Sequence, residues 1–147
     1  MNIKKFNSID INNFFLPDEY SIKSDFNYGE IDGYAKIIGY QIIFFFVENI
    51  EALCIEDVVD VPILLNKSNE ILEYLSIEQK IGDKFFYSEY LNNEYQYKDS
   101  ILDNITRYYY LRNKFLIIIG INKNSILESV EIIKNEIIIK DRIESLI

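Results

Sequence analysis

A run of β-branched and aromatic residues between Ile31 and Val47 limits the folds open to this chain more than any other feature. Such residues favour the pleated conformation of a strand, and the triplet Phe44-Phe45-Phe46 lacks any alternating polar residue. A strand without that alternation is covered by other elements on both faces. The run therefore predicts a central strand, an acidic turn at Glu48–Glu51 and a further strand from Ala52 to Ile55.

Two hairpins are predicted in the second half of the chain. Residues from Phe85 to Tyr97 alternate loosely, and Asn92-Asn93 has the composition of a hairpin turn. Farther along, the strands Arg107 to Leu111 and Phe115 to Ile121 flank Asn113-Lys114, which predicts a second turn of the same kind. These segments would extend the sheet.

Helical spacing of apolar residues is found in three segments. Ser68 to Gln79 reads as a helix that Ser68 caps and Gly82 ends. Ser125 to about Arg142 reads as a second helix opened by a capping box, with a break near Asn135 as the alternative. A helix over Ser100 to Tyr110 competes with the strand interpretation there, because Ile101, Ile105 and Tyr108 would share one face.

These elements predict a single α+β domain over residues 1–147, with a twisted, mostly antiparallel sheet and two or three packed helices. The chain of 147 residues is of ordinary domain size, and 49% of its residues are apolar, enough to form a core without metals or disulfides. Strands and helices do not alternate regularly enough for a doubly wound fold.

The chain contains no histidine and one cysteine, Cys54. This composition excludes Ser-His-Asp and Cys-His catalysis, histidine-containing zinc sites and iron–sulfur clusters. Carboxylate chemistry stays open: Glu30 with Asp32, or the cluster Glu56, Asp57 and Asp60, could hold Mg²⁺ or form an acid/base pair. We expect a protein that is not an enzyme and uses no cofactor.

Negative charge is concentrated in the first part of the chain. The net charge is −9, and Met1 to Thr106 has 8 basic against 19 acidic residues, whereas Arg107 to Ile147 has 7 against 5. Such a balance disfavours nucleic acid and anionic membranes and favours a basic protein partner. The predicted acidic rim consists of Glu48, Glu51, Glu56, Asp57 and Asp60. The alternative is a solvated acidic loop that only keeps the protein soluble.

Tyrosine is the second feature suited to recognition, since the chain has 12 tyrosines and no tryptophan. Tyrosine covers contact area at little entropic cost and keeps a hydrogen-bonding tip. We therefore predict that Tyr87, Tyr90, Tyr95 and Tyr97 take part in partner binding. Tyrosines that merely fill half-buried sheet positions are the alternative.

Two functional hypotheses follow. The first is an acidic, non-catalytic inhibitor of a basic protein such as a toxin or nuclease, as in bacterial immunity proteins or phage anti-defence proteins. The second is a small-molecule or peptide-binding domain that uses an aromatic-rich sheet face. The longest uncharged run, Ile37 to Val47, is 11 residues, below the ~18 needed for a membrane span. We expect a cytoplasmic protein, and a homodimer is compatible with either hypothesis.

Overall fold

The structure, a computed structural model, describes residues 1–9, 34–38, 42–46, 50–56, 58–101 and 104–147. The described residues form three helices and seven strands. In chain order they are α1 (Ile3–Asn7), β1 (Tyr34–Ile38), β2 (Ile42–Phe46), β3 (Ile50–Glu56), α2 (Pro62–Tyr74), β4 (Tyr97–Ile101), β5 (Ile105–Arg112), β6 (Phe115–Asn122), β7 (Leu127–Ile133) and α3 (Glu136–Glu144).

The seven strands form one sheet in the order β1-β2-β3-β7-β6-β5-β4, and every neighbouring pair is antiparallel. The predicted α+β class and the antiparallel sheet are confirmed. Strand β2 lies between β1 and β3, as the Phe44-Phe45-Phe46 triplet predicted. The predicted strand from Ala52 to Ile55 is the body of β3.

The hairpin between β5 and β6 is confirmed with its turn. Asn113 and Lys114 both have positive φ, 47° and 65°. A two-residue turn with two positive φ angles matches the right-handed twist of the flanking strands, and Asn tolerates that conformation better than most residues. The turn sets Arg112 opposite Phe115, which places Arg112 at the end of the hairpin.

Helix α2 begins six residues earlier than predicted. Pro62 is in its first turn, where the fixed φ of proline fits a helix and its missing N–H is not needed. Ser68, predicted as the cap, lies inside the helix and is buried. The helix ends at Tyr74 rather than near Gly82, because Ser76 takes a φ of 57° and the Ile77 amide donates back to the Leu72 carbonyl.

Ser68→Ala is expected to raise the free energy of unfolding by about 1 kcal/mol, because a buried hydroxyl without a partner costs free energy that alanine does not. Among the described residues the Ser68 hydroxyl has no hydrogen-bond partner. Urea denaturation measures the change. Ser100→Ala, at an exposed position of β4, is the control and should change stability by less than about 0.5 kcal/mol. A destabilised Ser68→Ala variant would contradict the prediction.

The long C-terminal helix predicted from Ser125 to Arg142 is wrong. Residues Leu127–Ile133 form β7, which pairs with β3 on one side and β6 on the other. The β-branched residues of this segment suit a central strand, and pairing on both edges outweighs its helical spacing. Of the alternative, a helix broken near Asn135, only the boundary is confirmed: the segment before it is a strand, and the Asn135 side chain caps α3 by accepting from the amides of Ile137 and Ile138.

Two other sequence-based interpretations fail between α2 and β6. The helix over Ser100 to Tyr110 is wrong, because all five residues of β4 pair there with the first five residues of β5. The strands from Phe85 to Tyr97 are also wrong, because strand geometry begins only at Tyr97. Asn92-Asn93 therefore does not connect two strands.

The strands bury side chains on both faces of the sheet. In β6, Ile117 and Ile119 belong to the larger buried cluster, which also contains Phe6 of α1 and Leu64 of α2. The alternate residues of the same strand, including Ile118, belong to a smaller cluster that contains Ile138 of α3. The site described next lies on the side of the larger cluster.

Candidate functional site

The long connection between α2 and β4, residues 76–96, is the most unusual segment of the described chain. It contains neither helix nor strand, apart from a single bridge between Lys84 and Ile126. Segments longer than about 15 residues without secondary structure are uncommon in compact domains and are usually functional. We call residues 76–96 the clasped loop, because the side chains of Gln79, Asn69 and Arg112 hold its backbone by hydrogen bonds.

Gln79 fixes the first half of the clasped loop. Its side-chain amide donates to the Phe86 carbonyl and accepts from the Phe86 amide. Gln79 thus makes the two backbone hydrogen bonds that a neighbouring strand would make to Phe86. Only 2% of Gln79 is exposed, and a buried amide with both ends satisfied holds one geometry. Asn69 of α2 adds a second tie, because its oxygen accepts from the Ile81 amide at 2.8 Å.

Arg112 fixes the second half from the end of the β5–β6 hairpin. Its guanidinium donates to the carbonyl oxygens of Tyr90 and Glu94 at 3.2 and 2.9 Å. It also donates to the side-chain oxygens of Asn92 at 2.9 Å and Gln96 at 3.3 Å. Arginine has five N–H donors in a rigid plane, so one side chain can hold several loop carbonyls in one arrangement.

The clasped loop exposes aromatic side chains. Phe86, Tyr87 and Tyr95 are 48%, 45% and 37% exposed, and they are three of the eight exposed large hydrophobic residues in the described part of the chain. Tyr95 packs edge-to-face on Tyr108 and Tyr110 of β5, with ring centroids 4.9 and 6.5 Å apart. The exposed Tyr95 ring is therefore packed on the sheet.

Tyr110 is the buried base of this aromatic group. Burial raises the pKa of its hydroxyl above the ordinary range, and the neighbouring Tyr87 acts in the same direction. The Arg112 guanidinium lies over the Tyr110 ring, 5.3 Å from its centroid, and acts in the opposite direction. The cation that clasps the loop is thus also packed against the aromatic base.

Carboxylates accompany the exposed rings. Glu89 and Glu94 are exposed, and the sequence from Phe85 to Gln96 contains no lysine or arginine. The second half of the clasped loop therefore combines aromatic area with negative charge, whereas the first half also carries the exposed Lys80 and Lys84.

The structure brings three of the four predicted tyrosines into one loop. Tyr87, Tyr90 and Tyr95 all lie in the clasped loop, whereas Tyr97 is the first residue of β4. Tyr97 pairs with Tyr109 and packs against the smaller cluster. It therefore lies on the other face of the sheet from Tyr95.

The described members of the acidic rim do not gather at one point. Glu51 and Glu56 are at opposite ends of β3, roughly 16 Å apart by the rise of a strand. Glu51 lies 3.9 Å from the ammonium of Lys134, and Asp60 is exposed in the turn before α2. Glu48 and Asp57 lie outside the described residues.

The smaller cluster contains a buried ion pair. Glu131 of β7, with a side chain 5% exposed, accepts from both terminal nitrogens of Arg142 of α3, at 2.8 and 3.3 Å. A second pair lies near the sheet edge, where Asp99 of β4 binds Arg107 of β5 through both carboxylate oxygens. Burial acts to raise the pKa of Asp99, but its hydrogen bonds and Arg107 lower it overall.

Three possible metal ligands meet beside the first pair. The ligand atoms of Cys54, Glu56 and Glu131 lie within 4.8 Å of one another. Burial, together with the charges of Glu131 and Glu56, raises the pKa of the Cys54 thiol well above its usual value, although Arg142 acts to lower it. Arg142 already binds the Glu131 carboxylate, so that one of the three possible ligands is engaged in an ion pair in this structure.

A cavity of about 220 Å³ lies between the clasped loop and the larger cluster. Its apolar lining includes Leu91, Ile117 and Ile119, and its polar lining includes Glu78 and Glu89. Burial raises the pKa of Tyr90, another lining residue, while Arg112 acts to lower it.

Comparisons of the chain with protein-family models, with curated proteins and with solved structures found no match. Among the described residues, none of the helices combines the length and the apolar character that a membrane crossing requires.

The residues that hold the candidate site together were not singled out from the sequence. Gln79 and Arg112 act on segments 7 and up to 22 residues away, and periodicity carries no signal for such contacts. The available hints were an arginine directly before the turn Asn113-Lys114 and, elsewhere in the chain, the polar run Asn92, Asn93, Glu94 and Gln96.

Proposed function

We propose that this protein is a non-catalytic binding protein that inhibits a basic protein partner, such as a toxin or nuclease, and that the clasped loop is its recognition surface. The observation that carries the proposal is a long irregular loop whose aromatic side chains are exposed while its backbone is fixed by Gln79 and Arg112. The protein would act in the cytoplasm, beside such a partner.

The fixed backbone supports a binding role through entropy. A flexible loop loses conformational freedom when it binds, which costs about 0.5–1.5 kcal/mol for each side chain that becomes immobile. The hydrogen bonds of Arg112 to Tyr90, Asn92 and Glu94 are formed before any partner arrives. The loop is thus already ordered in the free protein, and binding a partner costs little further conformational entropy.

The composition of the loop supports a basic partner. Exposed Tyr87 and Tyr95 are of the residue type enriched among binding hot spots, and Glu89 and Glu94 offer carboxylates beside them. The net charge of −9 would speed encounter with a cationic surface. The absence of histidine from the sequence also suits a protein that inhibits by occupying a surface.

The proposal predicts that Tyr87→Ala with Tyr95→Ala will weaken partner binding at least thirtyfold, which corresponds to about 2 kcal/mol. Immunity genes normally lie beside their toxin genes, so the product of an adjacent gene encoding a basic protein is the first partner to test. Biolayer interferometry at low and high ionic strength gives the affinity. The matched control is Ile137→Ala, since Ile137 is 52% exposed but lies on α3.

High salt should weaken the wild-type complex, because exposed charges are screened beyond about 3 Å at 1 M salt. Equal binding by the tyrosine variant and the Ile137 control would contradict the proposal.

The cavity favours a second candidate function, a small-molecule or peptide-binding domain. The space beside the clasped loop has apolar walls and a few polar groups, the usual character of ligand sites. Salt separates the two candidates. Binding of a neutral ligand in the cavity would persist at high ionic strength, whereas a complex steered by Glu89 and Glu94 would weaken.

A further inference from the structure

The cavity beside the clasped loop is apolar at its base and acidic at its rim. Ile117, Ile119 and Leu91 are at most 4% exposed and form the base. Glu78 and Glu89 are exposed and line the same cavity. An apolar base below two carboxylates complements a guest with an aliphatic stem and a cationic head.

Met1 also lines the cavity, and its α-ammonium group opposes this preference in part. Burial lowers the pKa of that ammonium, while the charge of Glu78 acts to raise it. The lining residues therefore carry two carboxylates, on Glu78 and Glu89, against the one ammonium of Met1. The rim stays negative.

The size of the cavity decides what kind of guest fits. Sites for drug-sized ligands span about 300–1,000 Å³, and this cavity is about 220 Å³. A single long side chain is a better match than a cofactor or a nucleotide. Among the side chains, only lysine and arginine combine a long aliphatic stem with a positive charge.

We propose that this cavity receives a lysine or arginine side chain of the basic partner, with its stem over Ile117 and Ile119 and its head between Glu78 and Glu89. This inference rests on the proposed function, because the side chain comes from the partner that the clasped loop binds. Tyr90, which lines the same cavity, adds an aromatic face for the cation.

Blocked amino acids test the proposal without the partner. The probes are N-acetyl-arginine amide and N-acetyl-lysine amide, with N-acetyl-citrulline amide and N-acetyl-norleucine amide as neutral counterparts. Chemical shifts of the Leu91, Ile119 and Tyr90 amides are followed by NMR during each titration. At least one cationic probe should bind in the millimolar range with saturable shifts at these amides, and the neutral probes should bind at least about fivefold more weakly, as expected for loss of a partly exposed charge pair.

Glu78→Gln with Glu89→Gln should reduce the affinity for the cationic probe about fivefold or more. The control is Glu70→Gln with Glu73→Gln, because these exposed carboxylates are on α2 and do not line the cavity. It should leave probe binding unchanged. The proposal is overturned if neither cationic probe shifts the cavity amides, or if citrulline and norleucine amides bind as well as the charged probes.

The outcomes keep the two proposals apart. If the probes fail while Tyr87→Ala with Tyr95→Ala weakens partner binding at least thirtyfold, the cavity proposal fails and the proposed function stands. If a cationic probe binds but those tyrosine substitutions leave partner binding unchanged, the clasped loop is not the recognition surface.

Discussion

Arg112→Ala is expected to lower the free energy of unfolding by about 3 kcal/mol and to release the second half of the clasped loop. Each hydrogen bond of a charged donor contributes roughly 1.5–3 kcal/mol, and partial exposure reduces the sum for a side chain that makes several. Four of the acceptors belong to residues of the loop: Tyr90, Asn92, Glu94 and Gln96. Without Arg112 those carbonyls turn to water and the loop loses its single conformation.

Hydrogen exchange distinguishes this outcome from general destabilisation. Amides from Ser88 to Gln96 should lose protection in Arg112→Ala even under conditions where the β6 and β7 amides keep theirs. Arg112→Lys should restore little, because an ammonium cannot reach four acceptors in one plane. Lys123→Ala, in the turn before β7, is the matched control for loss of a cation. Unchanged protection from Ser88 to Gln96 would refute the role assigned to Arg112.

Arg142→Met is expected to cost about 3 kcal/mol, because it leaves the Glu131 carboxylate buried without its partner. The low end of the usual range for broken buried pairs applies, since the Arg142 side chain is 27% exposed. Equilibrium denaturation of the variant gives the value. The fold near β7 and α3 should otherwise be intact.

Removing both charges tests the cause of that loss. Glu131→Leu combined with Arg142→Met should recover most of the stability, because neither charge of this pair is left buried without its partner. Equal loss in the single and double variants would show that Arg142 stabilises the protein by packing alone. If the free energy of unfolding of Arg142→Met lies within about 0.5 kcal/mol of the wild-type value, the buried pair does not stabilise the protein.

Turn residues and apolar runs predicted the strands correctly where the strand pairing of the fold favours the same conformation. The β5–β6 hairpin was predictable because Asn113 and Lys114 fix the turn between two apolar runs. The run Phe44-Phe45-Phe46 likewise identified an interior strand. The short helix α1 was not predicted, since five residues give too little periodicity to separate a helix from a strand.

Other elements depended on contacts that a single sequence does not display. The spacing of Val130 and Ile133 suits a helix, and only pairing with β3 and β6 makes the segment a strand. Ser76 ends α2 in a conformation more often taken by glycine, so the boundary was placed near Gly82. Boundary signals of this kind are weak whenever tertiary contacts are strong.

The sequence indicated which residue types a recognition surface of this chain would use, but not where in the fold they would lie. Tyr87, Tyr90 and Tyr95 were predicted to bind a partner, which stays a prediction, and they share one loop. The acidic rim was placed by counting charge along the chain, but Glu51 and Glu56 are separated by the length of β3. Charge density in a sequence becomes charge density on a surface only if the fold keeps those residues on one side.

Photo-cross-linking from the clasped loop tests its role as the surface that meets a basic protein. A benzophenone side chain replaces Tyr87 in one variant and Ile137 of α3 in another, and both are irradiated in cells that produce the partner. The proposed function predicts one discrete adduct from position 87, with a protein rich in lysine and arginine, and no such adduct from position 137. The same adduct from position 137 alone would contradict it.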